Sequence, residues 1–243
     1  MPAKNTKAAA ALASKTVPVD ENVFLFIPNL IESSLLLLSS GYSRIVLAAL
    51  SLYFMPTSPK TCMVLYSVSC LLDAVDGQAA RYYDQCSKFG AVLDMVTDRC
   101  TTACLLCYLA SAYSDYAIVF QFLIALDVSS HYMHMYSSLT SGATSHKKIS
   151  ETSNFILRAY YSNNNVLFAF CFADQLFFVI LYLFHFKEIS EGTTVVRVLL
   201  TILGLLTAPI CAGKQIINCI QFANASKSLA QLDLEERKQA KKN

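Results

Sequence analysis

LDAVDGQAARYYDQCSKFGAVLDMVTDR, residues 72–99, decides how the rest of this chain is read. It carries Asp73, Asp76, Asp94 and Asp98 at the ends of two strongly apolar segments. Ionised carboxylates at that depth are costly unless they pair, bind metal or face a wet cavity. Taking Asp73 as origin, Asp76, Gly77, Ala80 and Arg81 fall within about 80° of it on a helix turning about 100° per residue. Gly90, Asp94 and Asp98 step by four and share one face of a second helix. The link from Tyr82 to Phe89 is short and polar. The two helices are therefore expected to be antiparallel neighbours, with both acidic faces turned toward each other.

Composition puts this stretch in a membrane. Of 243 residues, 55% are hydrophobic and only 15% charged, whereas a soluble domain carries about 25% charged residues. Most of the nine cysteines stand in apolar runs. Cys104 and Cys107 have CxxC spacing, but within TTACLLCYLA no polar ligand flanks them. All are expected to be buried thiols, with no disulfide framework and no zinc.

Residues 1–20 read as a disordered polar tail, and ENVFLFIPNL at 21–30 as a short amphipathic helix lying at the membrane surface. Six apolar spans follow, near 35–56, 61–80, 90–113, 116–136, 165–186 and 194–222, each close to the ~20 residues a bilayer needs. The expected fold is all-α and polytopic, with a membrane domain over 21–225 and a charged tail over 226–243. Six spans leave both termini on one side. That side holds Lys4, Lys7, Lys15, Arg81, Lys88, Lys147, Lys148, Arg158, Lys227, Arg237, Lys238, Lys241 and Lys242, against Lys60, Lys187 and Arg197 opposite. The bias makes both termini, and with them residues 72–99, cytosolic. The sequon at Asn224 would then stay unmodified.

Four converging carboxylates repel one another, and hard divalent cations remove the conflict. Mg²⁺ and Mn²⁺ prefer carboxylate oxygen and keep positions open for phosphate. Two such ions are expected, bridging a diphosphate during an in-line displacement. Gly77 and Ala80 leave room beside them. Arg81 offers a forked donor for phosphate, and Ser87 a hydroxyl. Asp98, last in the series, is the candidate base for an attacking hydroxyl. Asp84 reads as a solvated loop residue, and Asp127 and Asp174 as structural hydrogen-bonding acids. A cation pathway through a transporter is the functional rival on these residues alone.

The pattern Asp73-x2-Asp76-Gly77-x2-Ala80-Arg81-x8-Gly90-x3-Asp94-x3-Asp98 matches the signature of the CDP-alcohol phosphotransferase family letter for letter. The resemblance implies a six-helix membrane enzyme, a homodimer, with a two-metal site at the cytosolic helix ends. It implies that Asp73, Asp76 and Asp94 hold metal. It further implies that Asp98 is the base and touches the second ion, and that Gly77, Arg81 and Ser87 contact the CDP-lipid. Further stretches, among them PNLI, GYSRIV, YFMP, LDVSSHYMHMYSS and LYLFHF, resemble the eukaryotic branch of that family that uses myo-inositol. That wider resemblance implies CDP-diacylglycerol as donor and myo-inositol as acceptor. An inositol hydroxyl would attack the phosphorus bearing diacylglycerol, giving phosphatidylinositol and CMP. It also points to the endoplasmic reticulum, with membrane lipid and no nucleic acid as partner.

One departure stands out. In the resembled enzymes Asn-Leu-Ile runs almost directly into Gly-Tyr-x-Arg, whereas here ESSLLLLSS at 32–40 intervenes. If helical, it turns Asn29 about half a turn from Arg44 and displaces it by ~13 Å. Neither residue is therefore assigned to the site. An insert that loops out is dispensable, and deleting 32–40 is expected to preserve or raise activity. The acceptor pocket is expected at the cytosolic end of the fourth span, where Ser130, His131 and His134 cluster in SSHYMHMYSS. The same chemistry on another acceptor (glycerol phosphate, serine or choline) and a catalytically impaired relative are the alternatives.

Overall fold

The computed structural model describes residues 34–82, 88–140, 160, 163–190 and 192–241. Expectations for the tail at 1–20, the surface helix at 21–30, Asn29, Asp84 and Ser87 fall outside these residues. The described chain is helical, with no strand among its elements. In order it forms α1 (Ser34–Phe54), α2 (Pro59–Tyr82), α3 (Lys88–Ala112), a 3₁₀ turn (Ser114–Tyr116), α4 (Ala117–Thr140), α5 (Asn164–His185), the four-residue α6 (Lys187–Ser190) and α7 (Thr194–Ala240).

The stretches Ser114–Thr140, Asn165–His185 and Thr194–Ala240 are long and apolar enough to cross a membrane. This is an integral membrane protein. The acids and bases of α2 and α3 lower their hydropathy, because these two helices carry the aspartates. Pro59 opens α2, where a missing amide hydrogen costs no helical bond. Asn163 caps α5, its side chain accepting from the Asn165 amide at 2.9 Å. At 47 residues α7 is about 70 Å long, more than a bilayer requires. It continues unbroken across 225/226 as far as Ala240.

The 32–40 stretch does not loop out over its described part. Residues 34–40 are helical and continuous with Arg44, so the leucines extend α1 rather than hang from it. α1 packs along α2 and touches α3; α3 packs on α4 and α5; α7 closes the bundle against α4 and α5. Gly213 of α7 faces the Phe170 ring of α5, 3.5 Å from where a Cβ would stand, an ordinary van der Waals distance.

An apolar core fills one end of the bundle. It contains Met55, Cys62, Tyr66, Leu105, Leu106, Leu109, Phe120, Phe178, Tyr182, Leu183 and Cys211. Tyr182 is buried there because its hydroxyl donates to the Met55 carbonyl at 2.8 Å, and Tyr113 does the same to Leu181 at 2.8 Å. Leu109 has no exposed surface. Leu109→Ala is expected to cost about 2–5 kcal/mol through the cavity it leaves, read as a lower unfolding temperature in detergent.

The cysteines depart from expectation. Cys62 and Cys211 are buried, but Cys70, Cys100, Cys104, Cys107 and Cys219 lie on the outer surface of the chain. In a membrane an apolar run is as compatible with lipid as with the interior, so apolar context does not imply burial. None of the described cysteines is disulfide-linked.

Candidate active site

The apolar core ends where the aspartates begin. Asp73 stands near the end of α2, and Asp94 and Asp98 stand one turn apart near the start of α3. One carboxylate oxygen from each lies within 4.8 Å of the others. Two full charges at that distance repel by about 3 kcal/mol at an effective dielectric near 20. Each of the three side chains is only 33–40% exposed, so water screens this repulsion incompletely.

Arg44 of α1 stands among the three carboxylates. Its Nη1 donates to Asp94 Oδ1 at 2.7 Å and its Nη2 to Asp98 Oδ1 at 3.0 Å. Nη2 also lies 2.6 Å from Asp73 Oδ1. The guanidinium is buried, and its Nε has no hydrogen-bond partner. The Arg44 backbone is tied to α2 as well, since Ser69 donates to its carbonyl at 3.1 Å. The two acidic faces thus meet as the spacing predicts, and a cation from a third helix stands among them. Carboxylates this close require intervening positive charge. The residues at 32–40 upstream obscure the register of Arg44, so spacing alone does not place it here.

A second polar cluster lies against the first. Arg99 Nη1 donates to both carboxylate oxygens of Asp127, at 2.8 and 3.1 Å. Its Nη2 lies 3.8 Å from Asp98 Oδ2. Ser130 donates to the Asp127 carbonyl at 3.1 Å, and His131 Nδ1 lies 2.8 Å from the same oxygen. On α7, buried Lys214 donates to Asn218 Oδ1 at 2.7 Å, and Gln215 donates to Asp174 Oδ1 at 3.1 Å. Gln175 of α5 links to α2 by accepting from Tyr66 at 2.7 Å and to α3 by donating to Thr102 Oγ1 at 2.8 Å. The Thr102 hydroxyl in turn donates to the Asp98 carbonyl at 2.9 Å.

The structure therefore brings together Asp73, Asp94 and Asp98, and adds Arg44, Arg99 and Asp127. Asp76, Gly77 and Arg81 stand on α2, but their side chains lie outside what is described. Ser130 is buried, and His131 and His134 are half-buried on α4. The sequence held one signal for the missed residues. Arg44, Arg99 and Lys214 are the basic residues left inside apolar spans once every other Lys and Arg is assigned to a membrane side. Intramembrane cations call for partners.

The donor set tests whether a metal fits. It is all oxygen, anionic, partly exposed and already converged to within 4.8 Å. That suits a hard divalent cation and not a thiophilic one. Three carboxylates against the single charge of Arg44 leave an excess of negative charge for it to neutralise.

Comparison with known proteins follows the same line. Residues 27–203 match the family described as CDP-alcohol phosphatidyltransferase. The chain is similar to the CDP-diacylglycerol–inositol 3-phosphatidyltransferase of Schizosaccharomyces pombe, at 48% identity over 92% of this chain and 96% of that protein. The enzymes of the same name from Homo sapiens and Saccharomyces cerevisiae are 47% and 40% identical, each over 91% of this chain and over 99% and 94% of their own lengths. No solved structure matches the chain.

Proposed function

The chain belongs to the CDP-alcohol phosphatidyltransferase family, and from that premise we propose that it transfers the phosphatidyl group of CDP-diacylglycerol to myo-inositol, giving phosphatidylinositol and CMP. The observation that carries this reading is the convergence of Asp73, Asp94 and Asp98 around Arg44. A diphosphate substrate brings negative charge to the site. A site that concentrates cations among carboxylates suits it.

In this reading Asp73, Asp76, Asp94 and Asp98 hold two Mg²⁺ or Mn²⁺ ions. Such ions supply charge neutralisation for the diphosphate and for the departing CMP. The chain's own groups do the rest. Arg81, Gly77 and Ser87 seat the CDP-lipid. Ser130, His131 and His134 orient the polyol. Asp98 takes the proton of the attacking hydroxyl as its oxygen bonds to the phosphorus carrying diacylglycerol. The phosphoanhydride bond breaks and CMP leaves. Six spans, both termini in the cytosol, a homodimer and residence in the endoplasmic reticulum complete the proposal. The activity of the relatives supports the reaction, and the cation bias of the spans supports the orientation.

An acceptor panel tests it. The purified full-length protein, supplied with CDP-diacylglycerol and Mn²⁺, is expected to release CMP with myo-inositol and not with serine, choline or glycerol phosphate. Consumption of one of those in place of inositol overturns the acceptor assignment but keeps the reaction class. CMP release with none of the four would leave a catalytically impaired protein.

A further inference from the structure

Asp98 lies between two guanidinium groups. Arg44 of α1 holds Oδ1 at 3.0 Å, while Arg99 stands 3.8 Å from Oδ2. Arg99 follows Asp98 on the same helix, so its backbone cannot move away without the aspartate. Its short bonds go to Asp127, which takes both from Nη1 at 2.8 and 3.1 Å, against 3.8 Å to Asp98. Arg99 Nε is buried without a hydrogen-bond partner, so the side chain is oriented through its terminal nitrogens. Asp127 is itself fixed. It is 8% exposed, its carboxylate lies 3.4 Å from His131 Nδ1, and its carbonyl accepts from Ser130.

We propose that Asp127 is a positioning residue which, by binding Arg99 Nη1 through both carboxylate oxygens, keeps that guanidinium from closing onto Asp98 Oδ2 and competing there with metal and with the proton of the incoming hydroxyl. This rests on the reading of Asp98 as a metal-binding base. Removing the charge of Asp127 leaves Asp98 as the nearest carboxylate for a buried guanidinium. Arg99 then closes onto Asp98 and competes with the cation for its oxygen. A partner that orients a ligand in this way is commonly worth about 10- to 100-fold in metal affinity or activity.

The test uses the full-length protein in detergent, with Mn²⁺ affinity measured by electron paramagnetic resonance beside steady-state kinetics. Asp127→Asn is expected to weaken Mn²⁺ binding and lower kcat by about 10- to 100-fold, with KM for inositol unchanged. Asp127→Glu, which keeps the charge, is expected to retain most of both. Adding Arg99→Gln to Asp127→Asn is expected to restore Mn²⁺ binding, because the competing cation is gone. A raised KM for inositol with unchanged kcat and Mn²⁺ affinity would make Asp127 an acceptor contact and overturn the proposal. So would a double variant that binds Mn²⁺ no better than Asp127→Asn alone. Should Asp127→Asn not fold, Arg99→Gln alone decides: Mn²⁺ binding as tight as in the parent or tighter supports the proposal, and weaker binding overturns it. Mn²⁺ affinity does not depend on the acceptor, so failure of the inositol assignment is separable from failure here.

Discussion

Asp98→Asn is expected to lower CMP release by about 100- to 10,000-fold, the range for loss of a positioned general base. The substitution keeps the shape of the side chain and one carbonyl oxygen, so the bond from Arg44 at 3.0 Å can persist. It removes the negative charge, the second acceptor lone pairs and the capacity to take a proton. Asp98 sits where these losses matter most, since its oxygens face Arg44 on one side and Arg99 on the other. The measurement is CMP released from CDP-diacylglycerol and myo-inositol by the full-length protein with Mn²⁺. A variant that turns over like the parent removes Asp98 from the base role. An unchanged unfolding temperature beside lost activity separates chemistry from folding.

The second large effect concerns Arg44. Replacing it with Gln leaves three carboxylates within 4.8 Å with no guanidinium among them. Removing one partner of a buried ion pair costs about 3–5 kcal/mol, because the remaining charge is stranded. Here the Arg44 side chain is 7% exposed and serves three acids at once, but those acids are 33–40% exposed and partly screened by water, so the lower part of that range is expected. The loss should depend on divalent cations. In EDTA, Arg44→Gln is expected to unfold at a clearly lower temperature than the parent. Mn²⁺ should close most of that gap, since the metal supplies the missing positive charge. A variant as stable as the parent in EDTA would show that the Arg44 contacts carry no net stability. An equal response of both proteins to Mn²⁺ would separate the guanidinium from the metal site.

Much of the fold was legible because membrane helices obey local rules. Each apolar segment read from composition lies on one of the long helices, and helical phase put Asp94 and Asp98 on one face of α3. The cysteines show where that reasoning fails. Apolar surroundings identified them as interior residues, yet Cys100, Cys104 and Cys107 are exposed along α3. Hydropathy measures distance from water, and lipid and protein interior are alike in that respect. Asp127 is the hydrogen-bonding acid that its place suggests, with a partner that no local rule identifies. As a single acid in an apolar run it reads as a structural hydrogen-bonding group, and nothing local names its partner 28 residues away on another helix.

What the sequence determined by itself is the acidic pattern of residues 72–99 and the helical phase that gathers its members on two faces. Periodicity and spacing are properties of a single helix, so they can be counted along the chain. The tertiary structure alone decided which cations answer those acids. Arg44 reaches Asp94 from 50 residues away, and Arg99 turns from its neighbour Asp98 toward Asp127. Ion pairing depends on which helices pack together and how each is rotated about its axis. Those quantities are set by side-chain fit along the whole bundle, from Leu109 and Tyr182 at the apolar end to Arg44 at the acidic one.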